Sequence, residues 1–254
     1  TEADSMRVQV DSLGWTAWRP FDTLCADINI GIAGEGTRFV SIQFKDVTGN
    51  ISDIVFDSTI YDTTAPSSIF VNISDSNGYI RTATPDLILS AYDADSMRIQ
   101  VNDEGWSGWI SYVTLKNDVD ISVNGNGMKK ILVEYKDLAG NISPIFYDST
   151  IFDTTPPVAV SFVISGNNGH TNIAKPLLSI EATDADSMAF RLDTLAWESY
   201  IPYSTTHSDF DISANGEGVR HVYVKFKDNA GNETDGLLSH SVIFDTTAPV
   251  IAFT

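Results

Sequence analysis

Cysteine is almost absent from this chain: Cys25 stands alone among 254 residues, so no disulfide can form within it. At the corresponding positions of the internal copies described below stand Lys116 and His207, which removes a repeated metal site built on that thiol. Basic charge is scarce too, with 15 Lys and Arg against 34 Asp and Glu, and the net charge of −19 repels nucleic-acid backbones and anionic membranes. The acid excess is explained either by cation binding or by the solubility of a long extracellular chain. No apolar run approaches the roughly 18 residues of a membrane span, and no stretch carries a helical period of apolar residues. No leader pattern precedes Thr1, so the chain is expected to be processed or a piece of a longer one. Gly-x-Ser-x-Gly, His-Glu-x-x-His and phosphate-loop patterns are missing, and the four histidines, His170, His207, His221 and His240, have no repeated partners. Without a nucleophile, base or metal constellation in a defined place, an enzyme is not expected.

What the chain does have is an internal period. Asp46-Val-Thr-Gly-Asn50 returns as Asp137-Leu-Ala-Gly-Asn141 and as Asp228-Asn-Ala-Gly-Asn232, a step of 91 residues each time. Asp62-Thr-Thr-Ala-Pro66, Asp153-Thr-Thr-Pro-Pro157 and Asp245-Thr-Thr-Ala-Pro249 follow at the same period, stretched by one residue in the last copy. A repeat of this length is a domain rather than a turn of a solenoid. The units are therefore 1–62, partial and without its first two strands, 63–153 and 154–245, both complete, and 246–254, the start of a further unit or a donor strand.

Within a unit the apolar residues alternate with period two, as strands with one face in a core require. Ile69, Val71 and Ile73 share a phase, as do Leu87, Leu89 and Ala91, then Met97, Ile99 and Val101, and most plainly Ile131, Val133 and Tyr135. A short strand is expected around Val119 to Val123, and a last one through Ile145 to Ile151. About seven short strands with turn signals between them point to a β-sandwich. On the Asp-x-Ala-Gly-Asn hairpin and the Asp-Thr-Thr-Ala-Pro linker, the repeat resembles the immunoglobulin-like tandem domains of large bacterial surface proteins and adhesins. That resemblance implies an all-β chain of tandem immunoglobulin-like β-sandwich domains at the cell surface. Its role would be that of a structural spacer in an extracellular fibre, filament or adhesin, with carbohydrate-binding modules of an extracellular hydrolase or adhesin as the alternative. The partners expected are neighbouring copies, or the rest of a longer repetitive polypeptide, with glycans as a further class. Val8, Val40 and Ile42 of the partial unit would face water unless that polypeptide, or a strand at Val250 to Thr254 of a neighbour, covers them.

Three sets of residues are candidates for a site. Trp15 and Trp18, Trp106 and Trp109, and Trp197 and Tyr200 recur at one place in each unit. They serve either as core and hairpin packing or as sugar platforms, and strand alternation across Trp106 to Trp109 would put the two rings on opposite faces. Asn50, Asn72, Asn141 and Asn232 each open an Asn-x-Ser/Thr acceptor for N-linked glycan, while turn chemistry alone explains an asparagine after glycine. Carboxylates form the third set. If strands alternate in direction, the linker Asp62, the loop residues Asp93 and Asp95, and Asp137 and Asn141 of the hairpin meet at one domain junction. Asp153, Asp184, Asp186, Asp228 and Asn232 do so at the next, whereas the first unit offers only Glu2, Asp4, Asp46 and Asn50. Oxygen ligands from three segments would suit calcium, the one cofactor this sequence suggests; the same aspartates also have local roles in their turns.

Overall fold

The computed structural model describes residues 3–75 and 77–251. Glu2, and the part of the donor strand beyond Ile251, lie outside the described residues. The first unit forms β1 (Ser5–Val10), β2 (Arg19–Pro20), β3 (Gly36–Lys45) and β4 (Val55–Tyr61), joined in one sheet of order β2-β1-β3-β4.

The second unit continues with β5 (Ser67–Ile73), β6 (Tyr79–Ile80), β7 (Leu87–Tyr92), β8 (Ser96–Val101), β9 (Ile110–Ser111), β10 (Leu115–Lys116), β11 (Gly127–Lys136) and β12 (Phe146–Phe152). These make two sheets, β10-β7-β5 and β6-β12-β11-β8-β9. Among the described residues every pairing in this unit is antiparallel except that of β6 with β12; the unit's first two strands, β5 and β6, divide between the sheets, and the short β6 closes the edge beside the last strand. The third unit repeats the arrangement with β13 (Val158–Ile164), β14 (His170–Thr171), β15 (Leu178–Thr183), β16 (Ser187–Leu192), β17 (Ile201–Pro202), β18 (Thr206–His207), β19 (Gly218–Lys227) and β20 (Leu238–Phe244).

Alternation in the sequence becomes layering here. Leu87 and Leu89 of β7 are buried while Ile88 and Ser90 between them are exposed, and in β11 Ile131, Val133 and Tyr135 have no exposed surface. Ile73 and Leu87 from one sheet meet Met97, Ile131 and Phe152 from the other in a single core. Burying each such side chain fully is worth about 1.5–3 kcal/mol, so these few positions dominate the stability of a unit.

Tyr135 carries a flaw that its counterparts Phe44 and Phe226 lack. Its hydroxyl is buried without a hydrogen-bond partner, its ring lies edge-on to Tyr112 at 5.7 Å, and burial drives its pKa upward. An unsatisfied buried hydroxyl costs about 1–3 kcal/mol. Tyr135→Phe is therefore expected to raise the stability of the second unit by about 1 kcal/mol in denaturant unfolding. A loss of stability would mean that the hydroxyl is satisfied in solution.

Two expectations need correction. The strand around Val119 to Val123 does not form; pairing falls earlier, at β10. Asp118 and Asp120 interrupt the run, and Ile121 reaches the core from irregular backbone whose N–H donates to the carbonyl of Ala83. Val8 of the first unit, expected to face water, is only 3% exposed. The segment from Cys25 to Ala33, ending in a 3-10 turn at Ile30–Ala33, folds over that end of the sheet.

Candidate functional site

The candidate site is the joint between units, and it begins with the hairpin from β11 to β12. Gly140 takes φ +97°, which opens the turn, and Asp137 closes it: its Oδ1 accepts the N–H groups of Gly140 at 2.7 Å and Asn141 at 2.9 Å. Its Oδ2 accepts Asn141 Nδ2 at 2.8 Å. Burial works to raise the Asp137 pKa, and these hydrogen bonds outweigh it, so the carboxyl is held below its ordinary value. Turn chemistry therefore accounts for the aspartate, as it does for Asp46, held at about 2 chiefly by the Asn50 and Thr48 side chains.

Having fixed the turn, the asparagine reaches the linker. Asn141 Nδ2 also donates to the backbone oxygen of Asp62 at 3.2 Å, and Asn232 Nδ2 does the same to Asp153 at 3.0 Å. Arg81 adds a second bond across the later joint, from its guanidinium to the carbonyl of Gly231 at 2.9 Å.

From the other side, the preceding unit grips the same linker through residues that no sequence motif singled out. Glu35 accepts the N–H of Thr63 at 2.9 Å and the hydroxyl of Thr64 at 2.7 Å. Asn126 occupies the equivalent place, donating to Asp153 at 2.6 Å and Thr155 at 2.7 Å and accepting the N–H of Thr154 at 3.2 Å. Glu217 accepts the N–H of Thr246 at 2.7 Å and the hydroxyl of Thr247 at 2.9 Å. The threonine hydroxyls lower the pKa of Glu35 and Glu217. The signal was present in the sequence: each residue is the centre of a Gly-x-Gly, and each has an acceptor oxygen.

The carboxylates converge at one junction. Among the described residues, Asp153, Asp184 and Asp228 bring ligand oxygens within 4.8 Å of one another, from a linker, a loop and a hairpin. Asp184 sits at φ +59°, and its pKa is raised by burial and then by the charges of Asp153, Asp228 and Asp186. Three carboxylates so placed offer hard oxygen ligands of the kind calcium takes, part of the roughly six to eight it needs. Asp186 lies outside that group, though near enough to act on Asp184. Asp62, Asp93, Asp95 and Asp137 at the earlier junction are not gathered to this distance.

The aromatic pairs correct another expectation. Trp106 and Trp109 lie on the same side and flank the Arg98 guanidinium, 4.7 and 4.9 Å from the two ring centres. Residues 106–109 form no strand, so alternation does not apply to them. Trp15 and Trp18 flank Arg7 at 4.7 Å each, with Lys45 over Trp18. Lys136 lies over Trp109. In the third unit Arg191 and Lys225 stack on Trp197, and Lys227 lies 4.2 Å over Tyr200. All six rings are half-buried and covered by cations, each contact worth about 0.5–1 kcal/mol at such exposure. A cation thus takes a ring face that a sugar would otherwise stack on.

The glycan acceptors divide. Nδ2 is the atom an N-linked sugar takes, and in Asn141 and Asn232 it holds the linker; Asn232 is 8% exposed, which leaves no room for a sugar. Asn50 is exposed, its amide bonded to Asp46 and Thr48, and Asn72 is half-buried in β5.

Among the described residues no helix is long and apolar enough to cross a membrane. No family model and no curated protein matches the chain. Similar solved structures include a tetra-tandem repeat in the extending region of a large adhesion protein, 16% identical, with a TM-score of 0.36 and coverage of 97% of this chain and 68% of that one. Fibronectin(III)-like modules of Clostridium thermocellum CbhA are 8% identical, with a TM-score of 0.43 and coverage of 73% of this chain and 99% of that one. By its own sheets the chain is all-β, a tandem series whose second and third units are immunoglobulin-like β-sandwiches.

Proposed function

We propose that the chain is a non-catalytic spacer segment of an extracellular surface fibre, filament or adhesin, built from sandwiches joined stiffly. The observation that carries this reading is the linker held from both sides. Asn141 and Asn232 grip it from the following unit, and Glu35 and Asn126 from the preceding one. Pro66 and Pro157 fix φ beside those contacts and are themselves buried. A flexible tether has no use for such bonds; a spacer that must keep its length does. Calcium at Asp153, Asp184 and Asp228 is part of the same proposal, since a cation shared by linker, loop and hairpin would tie the two units together.

Distances between spin labels at Ser90→Cys and Ser239→Cys, in a Cys25→Ser background, test the stiffness. The parent is expected to give one narrow distribution, and Asn232→Ala with Arg81→Ala a markedly broader one. A broad distribution in the parent would refute the spacer reading.

A further inference from the structure

A groove that the second unit leaves open is filled from within in the third. It lies between the β8–β9 connection and the segment after β10, and it holds about 440 Å³ over Ile99, Val101, Ile110 and Val119. At the corresponding positions the third unit carries Phe190, Leu192, Ile201 and Phe210, and its His207 stands where the second unit has Lys116. The larger groups close the space. Phe190 stacks on the His207 imidazole at 5.1 Å, with the rings 12° from parallel, and meets Phe210 at 5.3 Å. Phe210 and Leu192 are each 3% exposed, whereas Val119 and Val101 are half-buried and Ile110 is exposed. The same fold therefore accepts aromatic rings at this place, and the second unit offers there a volume of the size that small ligands occupy.

The rim sets the charge of what can enter. Lys116 is spent on Asp118, its ammonium 2.5 Å from Oδ1, and that bond holds the Asp118 carboxyl below its ordinary pKa. Glu104 and Asp120 have no basic partner among the described residues: Glu104 accepts the amide of Asn124 at 2.7 Å, and Asp120 the N–H of Ser122 at 2.8 Å. Three carboxylates against one ammonium make the groove negative. The first unit has a cavity of about 380 Å³ at the same place, but its charged lining is Asp27 against Arg19 and carries no net charge.

We infer that the groove of the second unit is a binding site for a small aromatic cation, a flat ring joined to an ammonium. The ring takes the volume that Phe210 and His207 fill in the third unit, against Ile99 and Val119, and removes that half-exposed apolar floor from water. The ammonium faces Glu104 and Asp120. Apolar contact supplies the affinity, and the acidic rim orients the ligand and rejects anions.

The probe is phenethylammonium, titrated into the full chain and followed by methyl NMR. Ring-current shifts are expected at Ile110 and Val119, saturating together, with none at Ile201 of the third unit. Phenylacetate, with the same ring and the opposite charge, is expected to bind at least about tenfold more weakly. Butylammonium, which has the charge without the ring, should not saturate in the same range. Asp120→Asn keeps the space and the turn bond while removing one charge, and is expected to weaken binding about two- to fivefold, the worth of one exposed pair. Val119→Phe copies the third unit and is expected to abolish the shift at Ile110 in the folded chain. Absence of saturable shifts would overturn the inference, as would equal binding of phenylacetate or butylammonium, or an undiminished response in either variant. Binding as tight at Val10 and Ile28 of the first unit would overturn it too, since the rim there is neutral.

Discussion

Arg220→Ala is expected to lower the stability of the third unit by about 3–5 kcal/mol, the range for breaking a buried ion pair from one side. Arg220 is 8% exposed, and its guanidinium accounts for an entire turn. It donates to the carbonyls of Asn215, Gly216 and Glu217 at 2.6 to 3.0 Å and to Asp193 at 3.2 Å. Truncation would orphan those carbonyls and leave Asp193 without its counter-charge. Because Glu217 sits in the same turn and grips the last linker, the loss is expected to loosen Thr246 and Thr247 as well.

The pH dependence has a definite sign. Burial works to raise the pKa of Asp193, but the N–H of His221, the amide of Asn215 and the charge and hydrogen bond of Arg220 outweigh it, so the folded value is lowered. A lowered carboxyl stabilises the fold above its unfolded pKa, and that contribution disappears as pH falls through the folded value. Urea midpoints of parent and variant should therefore converge at acid pH. A gap that stays constant from neutral pH downward would show that the ion pair does not carry the effect.

The second unit shows how such a device changes by parts. Its residues at these two places are Lys129 and Asn102, where the first and third units have Arg38 with Asp11 and Arg220 with Asp193. Lys129 is 2% exposed and spends its ammonium on the carbonyl of Val123 at 2.5 Å, while Asn102 keeps the backbone bond to Lys130 at 2.8 Å. Loss of the carboxylate thus accompanies loss of the planar fork that needed it.

This position also marks the boundary of what the sequence made legible. Period two placed Ile131, Val133 and Tyr135 in the core because a side chain on a paired strand has only two sides to choose from. The same phase includes Lys129, Arg38 and Arg220, so three inward basic residues could have been found; charge hid them. Trp106 and Trp109 were misplaced because alternation was applied where the chain forms no strand, and the partner that fixes them, Arg98, lies on β8. Of the five residues that the order of strands directs to the later junction, Asp153, Asp184, Asp186, Asp228 and Asn232, three carboxylates lie together: Asp153, Asp184 and Asp228. That order could not reveal that Asp62, Asp93 and Asp137 stay further apart, since a shift of a few ångströms in a loop leaves no trace in residue types. Glu35, Asn126 and Glu217 each stand between two glycines, and a tight turn accounts for that pattern without calling on the side chain between them.

Calcium added in hundredfold excess over its dissociation constant is expected to stabilise the third unit by about 2.7 kcal/mol, a rise in melting temperature of at least about 10 °C for a domain of this size. The reason is electrostatic. Asp184 is held above its ordinary pKa by burial and by Asp153, Asp228 and Asp186, so in the cation-free chain these charges oppose folding. A divalent ion reverses the sign of that interaction, and the three segments that bear the ligands gain a common anchor. Asp184→Asn separates the two effects: it removes one repelling charge, so the variant should melt slightly above the parent in chelator, yet it should lose most of the calcium response. Asparagine is compatible with the positive φ of this position, which keeps backbone strain out of the comparison. Asp93→Asn at the earlier junction, where no such cluster forms, should leave the response intact. Calorimetric melting of parent and both variants, with calcium and with chelator, provides the readout. Equal melting of the parent in the two buffers, with no heat on titration, would remove calcium from the joint, and an undiminished response in Asp184→Asn would move the ion to another site.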